Sequence, residues 1–230
     1  MSKLRIKTGF VLVFLALFGF FHSCASFPPE TEDPAETAQA ETARIEVPPV
    51  ETAPVETLPE RPELSEYIMG KGRIPGEKLA LFLEQNNPQM DRSFLHALAL
   101  IYIEEAALEG VNHDIAFVQM CLETGFLRFG GDVRPEQNNF AGLGAIGNGE
   151  PGLSFPDPRT GVRAQIQHLK AYGSEEPLNL ELVNPRFRFV RRGSSPTIEG
   201  LAGTWAADRS YSVKIVSIMN RLYDFSYGIM

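Results

Sequence analysis

The sequence predicts a mainly α domain with one irregular lobe between its helices, carried behind an acidic stalk. Three observations predict this. Apolar residues recur at helical spacing from residue 76 onward. Residues 125–160 are rich in Gly, Pro and Asn and show no helical period. Residues 25–66 hold eight of the 17 prolines and eleven acids against Arg44 and Arg61, a composition with too little apolar surface to form a core.

The chain has 230 residues and a net charge of −8. That acidic balance argues against nucleic acid as a partner. The charge is unevenly spread. Residues 1–23 carry +3, from Lys3, Arg5 and Lys7, and the stalk carries −9, which leaves −2 on residues 67–230. Three units are therefore expected: 1–23, 24–66 and 67–230, the last about the size of one ordinary domain.

After the three basic residues an apolar run extends from Gly9 to Phe21. As a helix it rises about 20 Å, short of the ~30 Å hydrocarbon core, so a cleaved export signal fits better than a permanent span. The run ends at Phe21-His22-Ser23-Cys24, which resembles a bacterial lipobox. The resemblance implies acylation of Cys24 and an exported lipoprotein, membrane-anchored and facing the cell wall. An uncleaved anchor and a chance cysteine are the competing readings. Val-Glu-Thr-Ala-Pro and Val-Glu-Thr-Leu-Pro recur around Glu51 and Glu56. Prolines and like charges extend a chain, so about 40 residues at ~3.1 Å each could hold a domain well off a surface.

In the domain, Leu79, Phe82 and Leu83 mark a helix from Glu77 to about Asn87. Asp91 can cap the next, which carries Leu95, Leu98 and Tyr102 to Gly110. Asn112 can cap a third. Its interior, Ile115 to Leu122, is apolar almost all round, as in a helix central to a core. The lobe over 125–160 is expected to be loops and a short hairpin. Helices return over Thr160–Tyr172, over Ile198–Ala206 with Thr197 as cap, and from about Arg209 to Tyr223.

The chemistry centres on Glu123. It follows the apolar run and precedes the helix stop Thr124-Gly125. Desolvation and the negative end of the helix dipole both raise a carboxyl pKa. A carboxyl kept protonated near neutral pH can serve as a general acid. Spacing alone does not separate this from a solvated helix-end glutamate.

Four segments occur in order: Gln119-Met-Cys-Leu-Glu123-Thr-Gly125, Asn138-Asn139-Phe140-Ala141-Gly142-Leu-Gly144, Gly161-Val-Arg-Ala-Gln165-Ile-Gln-His168-Leu169 and Trp205-Ala-Ala-Asp208-Arg209-Ser-Tyr211. Together they resemble the bacterial β-N-acetylglucosaminidases of glycoside hydrolase family 73 over residues 90–223. The last segment departs at Trp205 and Arg209 from the usual Tyr-Ala-Thr-Asp-Pro-x-Tyr. The resemblance implies a lysozyme-like α+β fold and cleavage of the peptidoglycan backbone at N-acetylglucosamine. It makes Glu123 the catalytic acid and Tyr211 a lining of the cleavage subsite, with Asn138, Asn139, Phe140 and Gly142 shaping the glycan groove. Turn chemistry for the asparagines and simple packing for Tyr211 are the plainer readings. Asp132, Glu136, Glu150 and Asp157 are candidates for a second carboxylate, with Glu136 first because it adjoins the Asn-Asn-Phe segment. An N-acetyl sugar can instead supply its own acetamido oxygen. A lytic transglycosylase and a non-catalytic wall-binding lipoprotein are the alternatives.

Other chemistries find no support. Gly142-Leu-Gly-Ala-Ile-Gly147 matches a dinucleotide fingerprint but lacks a preceding strand and following helix. His22, His96, His113 and His168 have no metal-ligand spacing, so neither metal nor cofactor is expected. Cys121, inside the apolar helix, reads as a packed thiol. Arg186, Arg188, Arg191 and Arg192 form a basic cluster that is either a solvated loop or a surface for the anionic peptide stems of the wall. Nothing suggests an oligomer, and a monomer is expected.

Overall fold

The computed structural model describes residues 60–147 and 149–229. The signal segment, Cys24 and the stalk up to residue 59 lie outside the described residues. The domain is mainly helical: α1 (Gly76–Asn86), α2 (Arg92–Glu109), α3 (His113–Glu123), α4 (Pro158–Gly173) and α5 (Tyr211–Tyr227). Among the described residues backbone pairing outside helices amounts to isolated bridges, and no helix is long and apolar enough to cross a membrane.

The helix ends follow local chemistry. The Asp91 side chain accepts from Phe94 N, and α2 stops at Gly110 in a left-handed conformation. The Asn112 side chain accepts from Asp114 N to start α3. The next cap is Asp157, which accepts from Thr160 N with Pro158 at the first helical position. Helix α4 thus begins two residues before the expected Thr160. The segment 198–206 is not the expected helix. It forms one 3-10 turn, Glu199–Leu201, and then tight turns. Gly200 and Gly203 lower its helical propensity, and Gly203 takes φ +86°. Nor do the described residues of the lobe form a hairpin. Their regular structure is one 3-10 turn, Pro135–Gln137.

As its sequence predicts, α3 is the central element: every residue from His113 to Cys121 is buried. It packs against α2, α4 and α5. Burial pushes the Cys121 thiol well above its ordinary pKa, which suits a packing role. Asp114 is fully buried at the positive end of α3 and accepts from Arg73 N at 2.7 Å, Ile74 N at 3.2 Å and the Tyr223 hydroxyl at 2.8 Å. This carboxylate holds α3, α5 and the N-terminal arm in one register. Two buried acids on α2 are each met by cations of α4. Arg159 and Arg163 hold Glu105, and Lys170 holds Glu109 at 2.9 Å. Each acid is paired, as buried charge requires.

Residues 60–66, grouped with the stalk on composition, lie against α5. Arg61 contacts Asp224 at 2.8 Å and donates to the Asn220 side chain, and Leu64 packs on the core.

Candidate active site

Glu123 is the last residue of α3. The helix stops because Thr124, buried, donates its hydroxyl to Met120 O and accepts from Leu127 N. The chain then turns through Gly125, Phe126, Leu127 and Phe129, all with positive φ. Bulky residues rarely adopt this conformation. It is held from outside: Asn87 donates to Phe126 O at 2.8 Å, and Phe82 packs edge-on to the Phe126 ring at 5.9 Å. The carboxyl therefore stands on a braced helix end.

The two oxygens of Glu123 have different surroundings. Oε1 accepts from the Tyr211 hydroxyl at 2.5 Å and from the Trp205 indole N–H at 3.1 Å. Oε2 faces Gly142, where an added Cβ would stand 3.7 Å away. Tyr211 is itself fixed. Its hydroxyl accepts from Gln119 Nε2 at 3.1 Å, Gln119 Oε1 accepts from Gln165 Nε2 at 2.9 Å, and Gln165 Oε1 accepts from the Tyr102 hydroxyl at 2.6 Å. All four of these residues are buried. The chain of donors runs in one direction, so the Tyr211 proton has one place to go, namely Oε1. With two donors already on Oε1, an acid proton on Glu123 resides on Oε2.

Burial raises the Glu123 pKa above the ordinary carboxylate value, and the Tyr211 and Trp205 hydrogen bonds pull against that shift. The residue nevertheless keeps much of its surface open to solvent. Both facts follow from a carboxyl in a groove, whose walls thin the water around it without closing over it. Burial also raises the Tyr211 pKa well above its ordinary value, so the phenol stays a donor.

A cleft of about 150 Å³ opens over Glu123 and is lined also by Asp132, Phe129, Asn139, Gly142 and Ala145. Of the four candidate carboxylates, Asp132 is the one that joins Glu123 there. Its Oδ1 accepts from Gly149 N at 2.9 Å. Glu136, the first choice from sequence, stands exposed on the 3-10 turn and does not line the cleft. Adjacency along the chain misleads here, because the turn points its neighbour Gln137 inward instead. Glu150 is exposed at the lobe tip, and Asp157 caps α4.

The Asn-Asn-Phe segment is mostly a scaffold. Asn139 is buried, donates to Leu143 O and Leu153 O, and accepts from Leu143 N. It pins the loop that carries Gly142, and it also lines the cleft. Asn138, at φ +49°, donates to Phe155 O. Its carbonyl presses on α4 so closely that a Cβ on Gly161 would lie 1.8 Å from the oxygen. Phe140 is 2% exposed within the main core and cannot meet a glycan. Apolar burial overrides the groove role expected for it.

Tyr211, expected to line the cleavage subsite, is buried and does not line the cleft; its hydroxyl reaches the site by donating to Glu123 Oε1. Asp208 opens α5 by accepting from Ser210 N and pairing with Lys214, contacts that hold its pKa down at about 2. Sequence reasoning missed Trp205 as a partner of the acid, treating it as a departure. The signal available was chemical: the chain has a single tryptophan, an aromatic with an N–H to place. Gln119 and Gln165, polar residues inside apolar helices, were also unassigned.

A carboxylic acid at a helix end, open on one oxygen and braced on the other, in a groove with a second carboxylate, is the equipment of a glycoside hydrolase. The model of the glucosaminidase family, described as mannosyl-glycoprotein endo-beta-N-acetylglucosaminidase, matches residues 99–224. The chain belongs to that family. A protein of Borreliella burgdorferi (strain B31), described as uncharacterized, is 42% identical over 160 residues, covering 70% of this chain and 78% of that one.

Proposed function

We propose that the domain is an endo-β-N-acetylglucosaminidase that cuts the glycan backbone of peptidoglycan, with Glu123 as the general acid. The carrying observation is the asymmetry of its carboxyl. Tyr211 and Trp205 occupy Oε1 as donors, so the transferable proton is on Oε2, the oxygen that faces the groove. There it reaches the glycosidic oxygen of a sugar laid across Gly142. Departure of the leaving sugar creates an oxocarbenium-like centre. As Glu123 loses its proton, the two donors on Oε1 stabilise the carboxylate that forms. On the other side of the sugar ring, the acetamido oxygen of the substrate or Asp132 meets the developing charge. Glu123, then ionised, takes a proton from the water that completes hydrolysis.

The natural substrate follows from the family and from the proposed address. Residues 1–23 direct export, Cys24 is lipidated, and the acidic stalk up to residue 59 holds a monomeric domain above a membrane, within reach of the wall. Digestion of purified peptidoglycan, followed by mass spectrometry of the fragments, tests the reaction. Reducing ends at N-acetylglucosamine are expected. Anhydro products would make it a transglycosylase, and binding without fragments a wall-binding lipoprotein.

A further inference from the structure

Past Gly142 the groove opens into a second pocket of about 190 Å³, whose lining differs in sign from the first. It is formed by the 141–145 loop with His168, Tyr172, Arg186, Thr204 and Trp205. The first pocket contains Glu123 and Asp132 and no basic residue. The second contains Arg186 and no carboxylate. Among the described residues no acid pairs with Arg186. Its guanidinium carbon lies 5.3 Å from the Phe189 ring centroid, so its position is shaped by an aromatic face and not by a counter-ion.

The pocket is built from beneath. Asn184 is fully buried. Its Nδ2 donates to His168 Nδ1 at 2.8 Å, and its Oδ1 accepts from Arg186 N at 2.9 Å. One amide thus orients the His168 ring and fixes the backbone that carries Arg186. Burial and the nearby Arg186 push the His168 pKa down to about 4, so the ring is neutral. With Nδ1 accepting, the proton is on Nε2, which has no protein partner among the described residues and is a free donor. The His168 ring lies edge-on to Trp205 at 5.0 Å, and the N–H of that indole serves Glu123. A ligand group in this pocket is therefore one residue away from the acid.

We propose that this pocket is a subsite for a sugar bearing a carboxylate, adjacent to the scissile bond, with Arg186 meeting the carboxylate and His168 Nε2 as a second donor. The inference rests on the proposed glycosidase reading and names which of its substrates the site favours. In a wall glycan that carboxylate has two sources with the same chemistry: the ether-linked acid on alternate sugars, or an acidic residue of the peptide attached to it. A neutral homopolymer of N-acetylglucosamine offers neither. Charge-assisted hydrogen bonds are stronger than neutral ones and need the cation unpaired beforehand.

The test compares three soluble substrates: chitooligosaccharide, peptide-free wall glycan fragments with the free acid, and peptide-bearing fragments. The readout is the ratio of kcat/KM on each acidic substrate to that on chitooligosaccharide, for the wild type, Arg186→Gln, Arg186→Lys and Arg191→Gln. Arg191 lies on the same segment but outside the pocket. Arg186→Gln is expected to lower the ratio about tenfold, Arg186→Lys to recover part of it, and Arg191→Gln to leave it unchanged. The acidic substrate that loses its advantage identifies the carboxylate. An unchanged ratio for Arg186→Gln on both acidic substrates overturns the proposal. Dissociation constants for the same fragments on Glu123→Gln, with and without Arg186→Gln, separate the two readings. If the wild type cuts nothing but binding of acidic fragments still depends on Arg186, the glycosidase reading falls and the subsite stands. If binding does not depend on Arg186, the subsite falls.

Discussion

The two walls of the proposed catalytic groove are made in opposite ways. On the helical side, Glu123 ends a directed chain of side-chain hydrogen bonds through Tyr211, Gln119, Gln165 and Tyr102, four residues from four helices. On the lobe side, Asp132 sits on a loop whose regular structure is a single turn, tied by asparagine and glutamine side chains to backbone carbonyls. Buried networks with every partner satisfied rigidify a site, whereas loops held by backbone contacts tolerate movement. The acid is thus held through more buried side-chain hydrogen bonds than the opposing carboxylate. A general acid needs a fixed distance to its oxygen. A group that meets a diffuse positive charge does not, and a substrate that brings its own acetamido oxygen needs it least.

The contrast is broken most severely at the acid. Glu123→Gln keeps the hydrogen bonds but has no proton to give, and turnover on wall fragments is expected to fall by about 10²–10⁴-fold. The fold is expected to survive. The folded-state pKa is raised, so the native state gains nothing from ionisation. Its stability falls as pH climbs from the ordinary carboxylate value through the raised one. The residue's exposure to solvent keeps that loss small. Glu123→Gln is thus at least as stable as the wild type at neutral pH, and urea denaturation checks this. Wild-type turnover by this variant would falsify the assignment.

The next largest effect is within the network. Gln165→Leu leaves Gln119 Oε1 and the Tyr102 hydroxyl without partners in the core, at a cost of about 1–3 kcal/mol in denaturation. It also frees Tyr211 to rotate, so kcat falls while KM for short glycans changes little. On the opposing wall, Asp132→Asn is expected to leave stability nearly unchanged and to slow turnover less than Glu123→Gln does. An equal loss in both variants would place the two walls on the same footing.

A subtler variant is Tyr211→Phe. It removes a donor that lowers the Glu123 pKa. The alkaline limb of the rate profile, where the acid loses its proton, is expected to move to higher pH. A profile that drops in height without moving would make the hydroxyl a substrate contact only.

The smallest effect belongs to the N-terminal side. Removing residues 25–59 is expected to leave the melting temperature unchanged. Continuing the deletion to residue 66 removes Arg61 from α5 and Leu64 from the core and lowers it, by about 2–4 °C for each kcal/mol lost. Differential scanning calorimetry of the two forms distinguishes the compositional end of the stalk from its structural end.

What could be read in advance divides along the same line. Caps are local chemistry, so Asp91 and Asn112 announced their helices, and an all-round apolar run announced the central one. Glu123 was legible because an acid directly after such a run is anomalous. Gln119 and Gln165 meet across two helices 46 residues apart in the chain, and no local pattern reports that register. The expected helix over 198–206 failed because its apolar spacing was outweighed by two glycines. The expected role of Phe140 failed because a motif shows which residues recur and not which way they point. The resemblance to a family tail hid Trp205 by treating a working donor as a mismatch.

The contact between the carbonyl of Asn138 and Gly161 on α4 bears on how this groove can vary in length. An insertion at the base of the lobe, near 137–140 or 153–157, would lift that carbonyl from the helix and unseat the loop above Glu123. The tip behaves otherwise: Gly147 and Gly149 bend the chain there, and Ile146 is 74% exposed. Related chains can therefore lengthen the tip at Ile146 and Gly147 without disturbing the acid. Differences in how far such enzymes grip a glycan strand are expected to accumulate in that one segment, with the glycine under Asn138 left alone.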